Sequence, residues 1–287
     1  TISDWDLLKI LGTRASNTLE RSSSGIPKSP DSSVSVVEKY SEDLLGIASL
    51  AYYFLCQHVL QRIQKVVSEG ILGSAAESAA ASSKDLLALF KEVVTVLQET
   101  QVSKVTISAL LSQLVKHTDA LIFNGMLHGG TNCCSEAALR IKMYISAIES
   151  WVHQQEVQNV IEPLPADTKT VQYTRQACIL LLLNKDMIKQ AAIRQDVCPV
   201  LSAQQVLKLM EVYTTDGIDQ TGVPKDVMRE LRNQAKDDTK SPALPTQQYT
   251  LTPRWAFDTS QEFRYATITP PAKFDIPALA FLWPPES

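Results

Sequence analysis

Apolar residues recur every three or four positions along most of this 287-residue chain, which is the pattern of helices with one buried face. The pattern predicts a long first helix from about Val36 to Val67, ended by Gly70 and Gly73. Further helices are predicted over the ranges 84–99, 103–127, 137–154, 167–184, 186–195, 203–213 and 224–235. The sequence shows neither strand–helix alternation nor repeats of solenoid length. It therefore predicts an all-α fold, a multi-helix bundle.

Three segments depart from this periodicity. Residues 22–35 contain seven serines together with glycine and proline, so we expect residues 1–35 to be a flexible or truncated N-terminal segment. Residues 73–83 are rich in alanine and serine, and we expect a mobile loop there. Six of the 14 prolines lie between Pro242 and Pro277, which predicts an extended C-terminal segment over residues 240–287.

Helix-end signals mark several of the predicted boundaries. Ser135 is the expected N-cap of the helix that follows it. Ser202 and Gln205 have the spacing of a capping box, and Pro224 suits a first helical turn. Residues 128–130, His-Gly-Gly, resemble an esterase oxyanion loop, but no G-x-S-x-G motif accompanies them. We therefore interpret them as a helix stop.

Composition excludes some partners. The chain is 45% apolar and 20% charged, as ordinary globular proteins are. Its 27 basic and 31 acidic residues give a net charge of −4, which argues against nucleic acid and against docking on anionic lipid. The longest apolar runs, 50–56 and 177–183, are too short to cross a bilayer. We expect no direct membrane insertion.

No cofactor, metal or catalytic set is evident from the sequence. The five cysteines are odd in number and irregular in spacing, which is typical of reduced, buried thiols in a cytosolic protein. His128, Cys133 and His153 match no zinc template. Residues 216–219 lack the rest of a calcium loop and are interpreted as a turn. Because phosphate-binding glycine motifs are also missing, we expect no enzyme but a surface that recognises other proteins.

Several sequence motifs, in a fixed order, make the expected protein-binding role more specific. Residues 119–128 (DALIFNGMLH), the following CCS at 133–135 and residues 141–151 (IKMYISAIESW) resemble the core signature of the dilute domain. That signature has a helix ending in FN-x-L-L, a cysteine loop, and a helix with the sequence Q-I-R-Y-N-I-S-x-L-E-x-W. Residues 201–214 resemble the family's L-T-x-x-Q-I-x-K-x-L-x-x-Y-T, and residues 268–281 its closing I-x-I-P segment.

The resemblance covers residues 36–282 and is strongest to the globular tails of class V and class XI myosins. It implies two helical subdomains joined by a long helix. We therefore expect residues 36–287 to be a dilute-type domain, with the joining helix over about 36–70, a helical subdomain over about 84–236 and the extended tail over 240–287. Because the chain starts at Thr1 and lacks most of a first subdomain, we expect it to be a fragment, and a monomer without the motor's coiled coil.

The resemblance also implies a function. Class V tails bind organelle adaptors and Rab-type small GTPases, so that the motor carries vesicles along actin, and they dock on their own motor head. The expected location is therefore the cytoplasm, with actin and vesicles. The alternative is a dilute domain in a Ras/Rap-effector or cell-junction scaffold without a motor. Sequence upstream of Thr1 distinguishes them, because IQ motifs and a coiled coil indicate a motor.

Two sets of site residues follow from the alignment. A tyrosine and a glutamine that contact a Rab in animal myosins align with Met143 and Leu182. With Lys142, Tyr144 and Lys185, these residues are expected to form a partly apolar patch with a basic rim, suited to an apolar helix or loop of an adaptor.

Docking on the motor head uses a basic pair and a lysine in the family. The pair aligns with Gly129 and Gly130, so its charge is lost, whereas the lysine is kept as Lys208. Trp151, one turn beyond Ile148, is expected to be buried in the core.

Overall fold

The computed structural model describes residues 54–73, 76–100, 102–164, 171–236 and 238–244. These residues all belong to one compact unit. Every regular element in the described ranges is a helix, so the all-α prediction is confirmed. The helices are α1 (described over 54–66), α2 (Ala76–Glu99), α3 (Lys104–Leu127), α4 (Ser135–Val157), α5 (Gln172–Leu182), α6 (Ala191–Val197), α7 (Ala203–Val212) and α8 (Lys225–Ala235).

Short helical turns connect some of these helices. A π-helical turn, Val67–Ile71, continues α1 and contains Gly70, so that glycine does not end the helix as predicted. Two 3₁₀ turns, Gly130–Asn132 and Lys185–Lys189, precede α4 and α6. The predicted N-terminal segment, the first part of the long joining helix and most of the extended tail lie outside the described residues.

The loop predicted over residues 73–83 is wrong. Helix α2 begins at Ala76, eight residues before the predicted start at Lys84. Alanine has the highest helix propensity of all residues, and residues 74–83 contain no glycine or proline to interrupt the helix. The segment predicted as one helix over 167–184 also differs, because α5 begins only at Gln172.

The helix caps confirm most of the end signals. The Ser202 hydroxyl accepts from the Gln205 N–H and the Gln205 side chain accepts from the Ser202 N–H, so the capping box is complete. Pro224 stands one residue before α8. The N-cap of α4, however, is Cys134 rather than Ser135, since the Cys134 Sγ accepts from the Ala137 N–H at 3.4 Å.

Helix α3 lies at the centre of the bundle. It contacts α2, α5, α7 and the π-helical turn, and its buried residues surround most of its circumference. A helix that is apolar on nearly all sides is one that other elements cover completely. Gly125 lets Leu72, the residue after the π-helical turn, pack close to α3, because a Cβ placed there would lie 2.1 Å from Leu72 Cδ1.

Asp119 fixes the start of α5 from within α3. Its carboxylate accepts from the Thr174 N–H at 2.8 Å, the Tyr173 N–H at 3.0 Å and the Thr174 hydroxyl at 2.7 Å. These N–H groups belong to the first turn of α5 and have no partner within the helix. The N-cap residue, Val171, supplies no side-chain cap, so the cap comes from 55 residues earlier in the chain.

Helix α4 packs along α5 and α2 and provides much of the core. Its buried side chains recur with helical spacing and comprise Ala137, Ala138, Ile141, Tyr144, Ile145, Ile148, Trp151 and Val152. Trp151 is 6% exposed, which confirms the expectation that it is buried. Helices α7 and α8 pack against each other, and α8 also contacts the 3₁₀ turn Lys185–Lys189.

Candidate partner-binding surface

The outer side of α4 carries the residues expected to bind a partner. Lys142 and Met143 are both exposed, and the Met143 side chain is 72% exposed. Leu139, one turn earlier, is exposed as well. We call Leu139, Lys142 and Met143 the α4 surface. An exposed methionine next to an exposed leucine is a flexible apolar contact of the kind that protein interfaces use.

Tyr144 does not belong to the α4 surface. It is 5% exposed and points to the core side of α4, three residues after Ile141 and four before Ile148. The prediction that the Tyr144 side chain contacts a partner directly is therefore wrong. Burial raises the pKa of its hydroxyl.

Lys185 is also buried, at 4% exposure, so it cannot form the predicted basic rim. Its Nζ donates to the Leu181 carbonyl at 2.7 Å and to the Leu183 carbonyl at 3.1 Å. It forms an ion pair with Asp219 at 3.1 Å and lies 4.3 Å from the centre of the Tyr213 ring. A lysine with this set of partners is structural.

Lys185 belongs to a polar cluster with Asp219, Tyr213 and Ser135, which we call the Lys185 cluster. The Tyr213 hydroxyl donates to Asp219 Oδ2 at 2.8 Å and lies 2.9 Å from the Ser135 hydroxyl. Ser135 in turn donates to the Leu181 carbonyl at 3.0 Å. The cluster thereby ties the end of α5 to the first turn of α4 and to the loop after α7.

Electrostatics within the Lys185 cluster favour an ionised carboxylate. Partial burial opposes ionisation of Asp219, but hydrogen bonds from Thr221, Tyr213 and Lys185 outweigh it and hold the pKa of Asp219 well below its usual range. Burial and the neighbouring Asp219 raise the pKa of the Tyr213 hydroxyl. Asp219 is therefore ionised at neutral pH.

Leu182, the last residue of α5, is half-buried. The two helices that carry the residues of the expected patch do lie side by side, because α4 and α5 pack together. Of the two lysines expected in the basic rim, Lys142 is the one that is exposed, and it lies on the α4 surface. Arg140, which precedes it by two residues, is half-buried, and its Nε and Nη2 atoms are enclosed without a hydrogen-bond partner.

The cysteine loop is structural. The Cys133 thiol donates to the Leu209 carbonyl at 3.4 Å and thus joins the loop to α7. Burial raises the pKa of this thiol to about 12, which keeps it protonated and unreactive. Among the described residues, no three His, Cys, Asp or Glu side chains are grouped as a metal site would require.

The turn at residues 216–219 is present as predicted, and it also caps α4. Asp216 Oδ1 accepts from the N–H groups of Ile218 and Asp219, which forms the turn. Its Oδ2 accepts from the Glu136 N–H at 2.6 Å, in the first turn of α4. The tip of the turn carries Ile218, which is exposed.

Lys208 is half-buried on α7. It lies one helical turn before Val212, whose Cβ would be 3.0 Å from a Cβ on Gly129. Gly129 and Gly130 have positive φ angles of 76° and 65°, so these glycines end α3 as expected. The helix that carries Lys208 and the glycines that replace the basic pair are therefore adjacent.

A groove between α1 and α2 has no counterpart in the sequence-based predictions. Its volume is about 630 Å³, and Val66, Gly70 and Leu89 contribute to its lining. Arg62 bridges the two helices by a two-pronged ion pair with Glu92, at 2.9 and 2.7 Å. No sequence signal reveals this groove, because the paired residues are 30 positions apart.

Membrane insertion can be checked for the described part of the chain. None of its helices combines the length and the apolar character that crossing a bilayer requires.

Comparison with known proteins agrees with the signature in α3 and α4. Residues 109–217 match the family model of the DIL domain. Myosin-H heavy chain of Dictyostelium discoideum is 26% identical over 132 residues, which are 44% of this chain and 7% of that protein. Protein OPAQUE1 of Zea mays is 25% identical over 172 residues, or 59% and 11% of the respective chains. The chain thus spans about a tenth of the length of these relatives.

Solved structures with the same fold include a yeast myosin 5 cargo binding domain, with a TM-score of 0.70 and 17% identity over 89% of this chain and 66% of that one. Myo2-GTD in complex with Mmr1 gives a TM-score of 0.69 and 18% identity over 93% and 67% of the two chains. Myo2-GTD in complex with Inp2 gives 0.70 and 18%, over 86% and 62%. At these identities the likeness shows a shared fold.

Proposed function

We propose that this chain is the cargo-binding tail module of a class V-like actin motor, because residues 109–217 match the DIL domain model and the helical bundle resembles a solved myosin cargo binding domain. In this role it has no catalytic activity of its own and links the motor to vesicles or organelles. It acts in the cytoplasm, in association with actin and vesicles. Its partners are organelle adaptor proteins, with a Rab-type small GTPase and the chain's own motor head as further candidates.

The observation that carries the proposal is the exposure of Met143 within the segment that matches the DIL family. Polar side chains usually cover the outer side of a helix in a globular bundle, whereas here Leu139 and Met143 are exposed one turn apart. Two of the similar structures also hold a bound partner, Mmr1 or Inp2. The myosin names among the relatives favour a motor tail over a junctional scaffold.

The chemistry of the α4 surface defines the kind of adaptor segment that fits it. Met143 and Leu139 gain by excluding water from an apolar side chain, while Lys142 favours an acidic neighbour. The expected ligand is therefore an adaptor helix or loop with an apolar anchor beside a carboxylate. Lys208 on α7 is the candidate contact to the motor head, because its charge is the one retained from the family's docking set.

A photo-crosslinking experiment tests the proposal. The variant Met143→p-benzoylphenylalanine is expressed in cells, irradiated, and the adduct is identified by mass spectrometry. Val157→p-benzoylphenylalanine is the matched control, since Val157 lies on the same helix and is 71% exposed. An adaptor or GTPase crosslinked at 143 and not at 157 supports a cargo-binding role. Identical adducts at both positions would contradict it.

A further inference from the structure

Asn124 on α3 uses both ends of its amide on a single distant residue. Its Nδ2 donates to the Leu244 carbonyl at 2.8 Å, and its Oδ1 accepts from the Leu244 N–H at 2.8 Å. The two residues are 120 positions apart in the chain. One amide thus satisfies both backbone groups of Leu244, as a neighbouring strand would.

Residues 238–244, which we call the strap, are fixed near both ends. At one end, Asp238 accepts from the Gln204 N–H at 3.1 Å, and the Gln204 amide donates to the Ala235 carbonyl at 2.7 Å. At the other end, Asn124 holds Leu244, whose half-buried side chain packs against the core. The strap therefore joins the first turn of α7 to α3.

Between these two attachments the strap is held weakly. Thr239, Lys240, Ser241 and Ala243 are exposed, and the strap has no helical or strand hydrogen bonding. Segments with few buried contacts open at a lower free energy than the core helices, and they open as separate units. At Leu244, the two hydrogen bonds to the Asn124 amide oppose such opening.

We propose that the strap is a releasable element of the fold and that Asn124 is its latch. With the latch closed, Leu244 is held against α3 beside Asn124. With the latch open, the helices remain folded and residues 239–244 separate from α3. Asn124 is thus a positioning residue that holds the end of the strap in place.

The variant Asn124→Asp tests the latch with minimal change in size. A carboxylate still accepts from the Leu244 N–H, but it cannot donate, and it places a negative charge against the Leu244 carbonyl. We expect hydrogen exchange at the Leu244 amide to accelerate roughly tenfold or more. Trypsin should also cleave faster after the exposed Lys240.

The comparison variant is Leu244→Ala, which removes the packed side chain and keeps both backbone hydrogen bonds. If the amide is the latch, Leu244→Ala accelerates exchange and cleavage less than Asn124→Asp does. The amide of Ile145 in the core of α4 is the internal reference, and its exchange should not change. Wild-type exchange and cleavage rates in Asn124→Asp would overturn the proposal. So would equal acceleration at Leu244 and Ile145, because the strap would then open only when the whole domain unfolds.

Discussion

Trp151 of α4 packs against Phe90 of α2, with ring centroids 5.8 Å apart and ring planes inclined by 36°. Phe90 is completely buried and Trp151 nearly so. Phe90 lies outside residues 109–217, the part that matches the DIL family. The contact therefore shows that the core of this segment is completed by a helix that precedes it in the chain.

Removing this contact should destabilise the domain. We expect Trp151→Ala to lower the free energy of unfolding by about 3–5 kcal/mol, the usual range for deleting a buried large aromatic side chain. Denaturant unfolding followed by circular dichroism measures the loss. Val157→Ala on the exposed side of the same helix should change it by less than about 0.5 kcal/mol. A Trp151→Ala protein as stable as the wild type would show that the ring contributes nothing to the core.

The substitution Gly125→Ala has two opposing effects on the stability of the domain. Helix propensity alone predicts that Gly125→Ala stabilises α3 by about 1 kcal/mol. A Cβ at this position would, however, lie 2.1 Å from Leu72 Cδ1, so the packed Leu72 side chain must leave its present position. We expect a net destabilisation of about 1–3 kcal/mol, measured by thermal unfolding. The double variant Gly125→Ala with Leu72→Ala should recover part of that loss, and stabilisation by the single variant would contradict the close packing.

Asp119 makes the stability of the domain depend on pH. Burial raises its pKa from 3.8 to about 6, although hydrogen bonds from Thr174 and Tyr173 oppose the rise. Because the folded-state pKa is the higher one, its stabilising contribution is complete below about pH 4 and is lost as the pH rises through about 6. Asp119→Asn cannot ionise. The stability of the wild type relative to this variant should therefore fall between pH 4 and pH 7 by an amount on the order of 3 kcal/mol.

Unfolding of the wild type and of Asp119→Asn at matched pH values checks this dependence. Groups that titrate equally in both proteins cancel in the difference, so the remaining slope belongs to residue 119. A difference that stays constant from pH 4 to pH 7, or one that changes with the opposite sign, would contradict a raised pKa.

Lys185 should contribute to stability rather than to binding. Lys185→Met removes the buried cation and leaves the partly buried Asp219 carboxylate without its ion-pair partner, which costs about 3 kcal/mol. This is the lower end of the range for such changes, because Tyr213 and Thr221 still donate to Asp219. Lys189→Met, whose ion pair with Asp226 is exposed on both sides, should cost less than about 1 kcal/mol. Equal losses in the two variants, measured by chemical denaturation, would show that burial of Lys185 has no energetic consequence.

The sequence predicted the class of fold, most helices and the capping box, because helical periodicity and cap residues are local signals. The sequence also indicated that Tyr144 is buried, since it follows Ile141 by three residues and precedes Ile148 by four and so shares their side of the helix. The family alignment placed it at the surface instead. Helix propensity could likewise have extended α2 into the alanine-rich stretch that was predicted to be a loop.

Other features depend on residues that are distant in the chain. Lys185 and Asp219 are 34 positions apart in the chain. They form an ion pair only because the fold brings the end of α5 and the loop after α7 next to α4. The Asn124 contact to Leu244 and the Asp119 cap on α5 have no periodic or compositional signature. Hydrogen bonds of this kind depend on the tertiary packing, so a single sequence does not reveal them.

Cargo binding is proposed for the α4 surface, which consists of Leu139, Lys142 and Met143. Once crosslinking has identified the partner, isothermal titration with the purified partner gives the dissociation constants of the wild type, Met143→Asp and Val157→Asp. Both substitutions replace an exposed apolar residue on the same helix, so neither should lower the melting temperature by more than a few degrees. We expect Met143→Asp to weaken binding by about thirtyfold or more, as at an interface hot spot, and Val157→Asp to bind like the wild type. Wild-type affinity in a folded Met143→Asp protein would contradict the proposal.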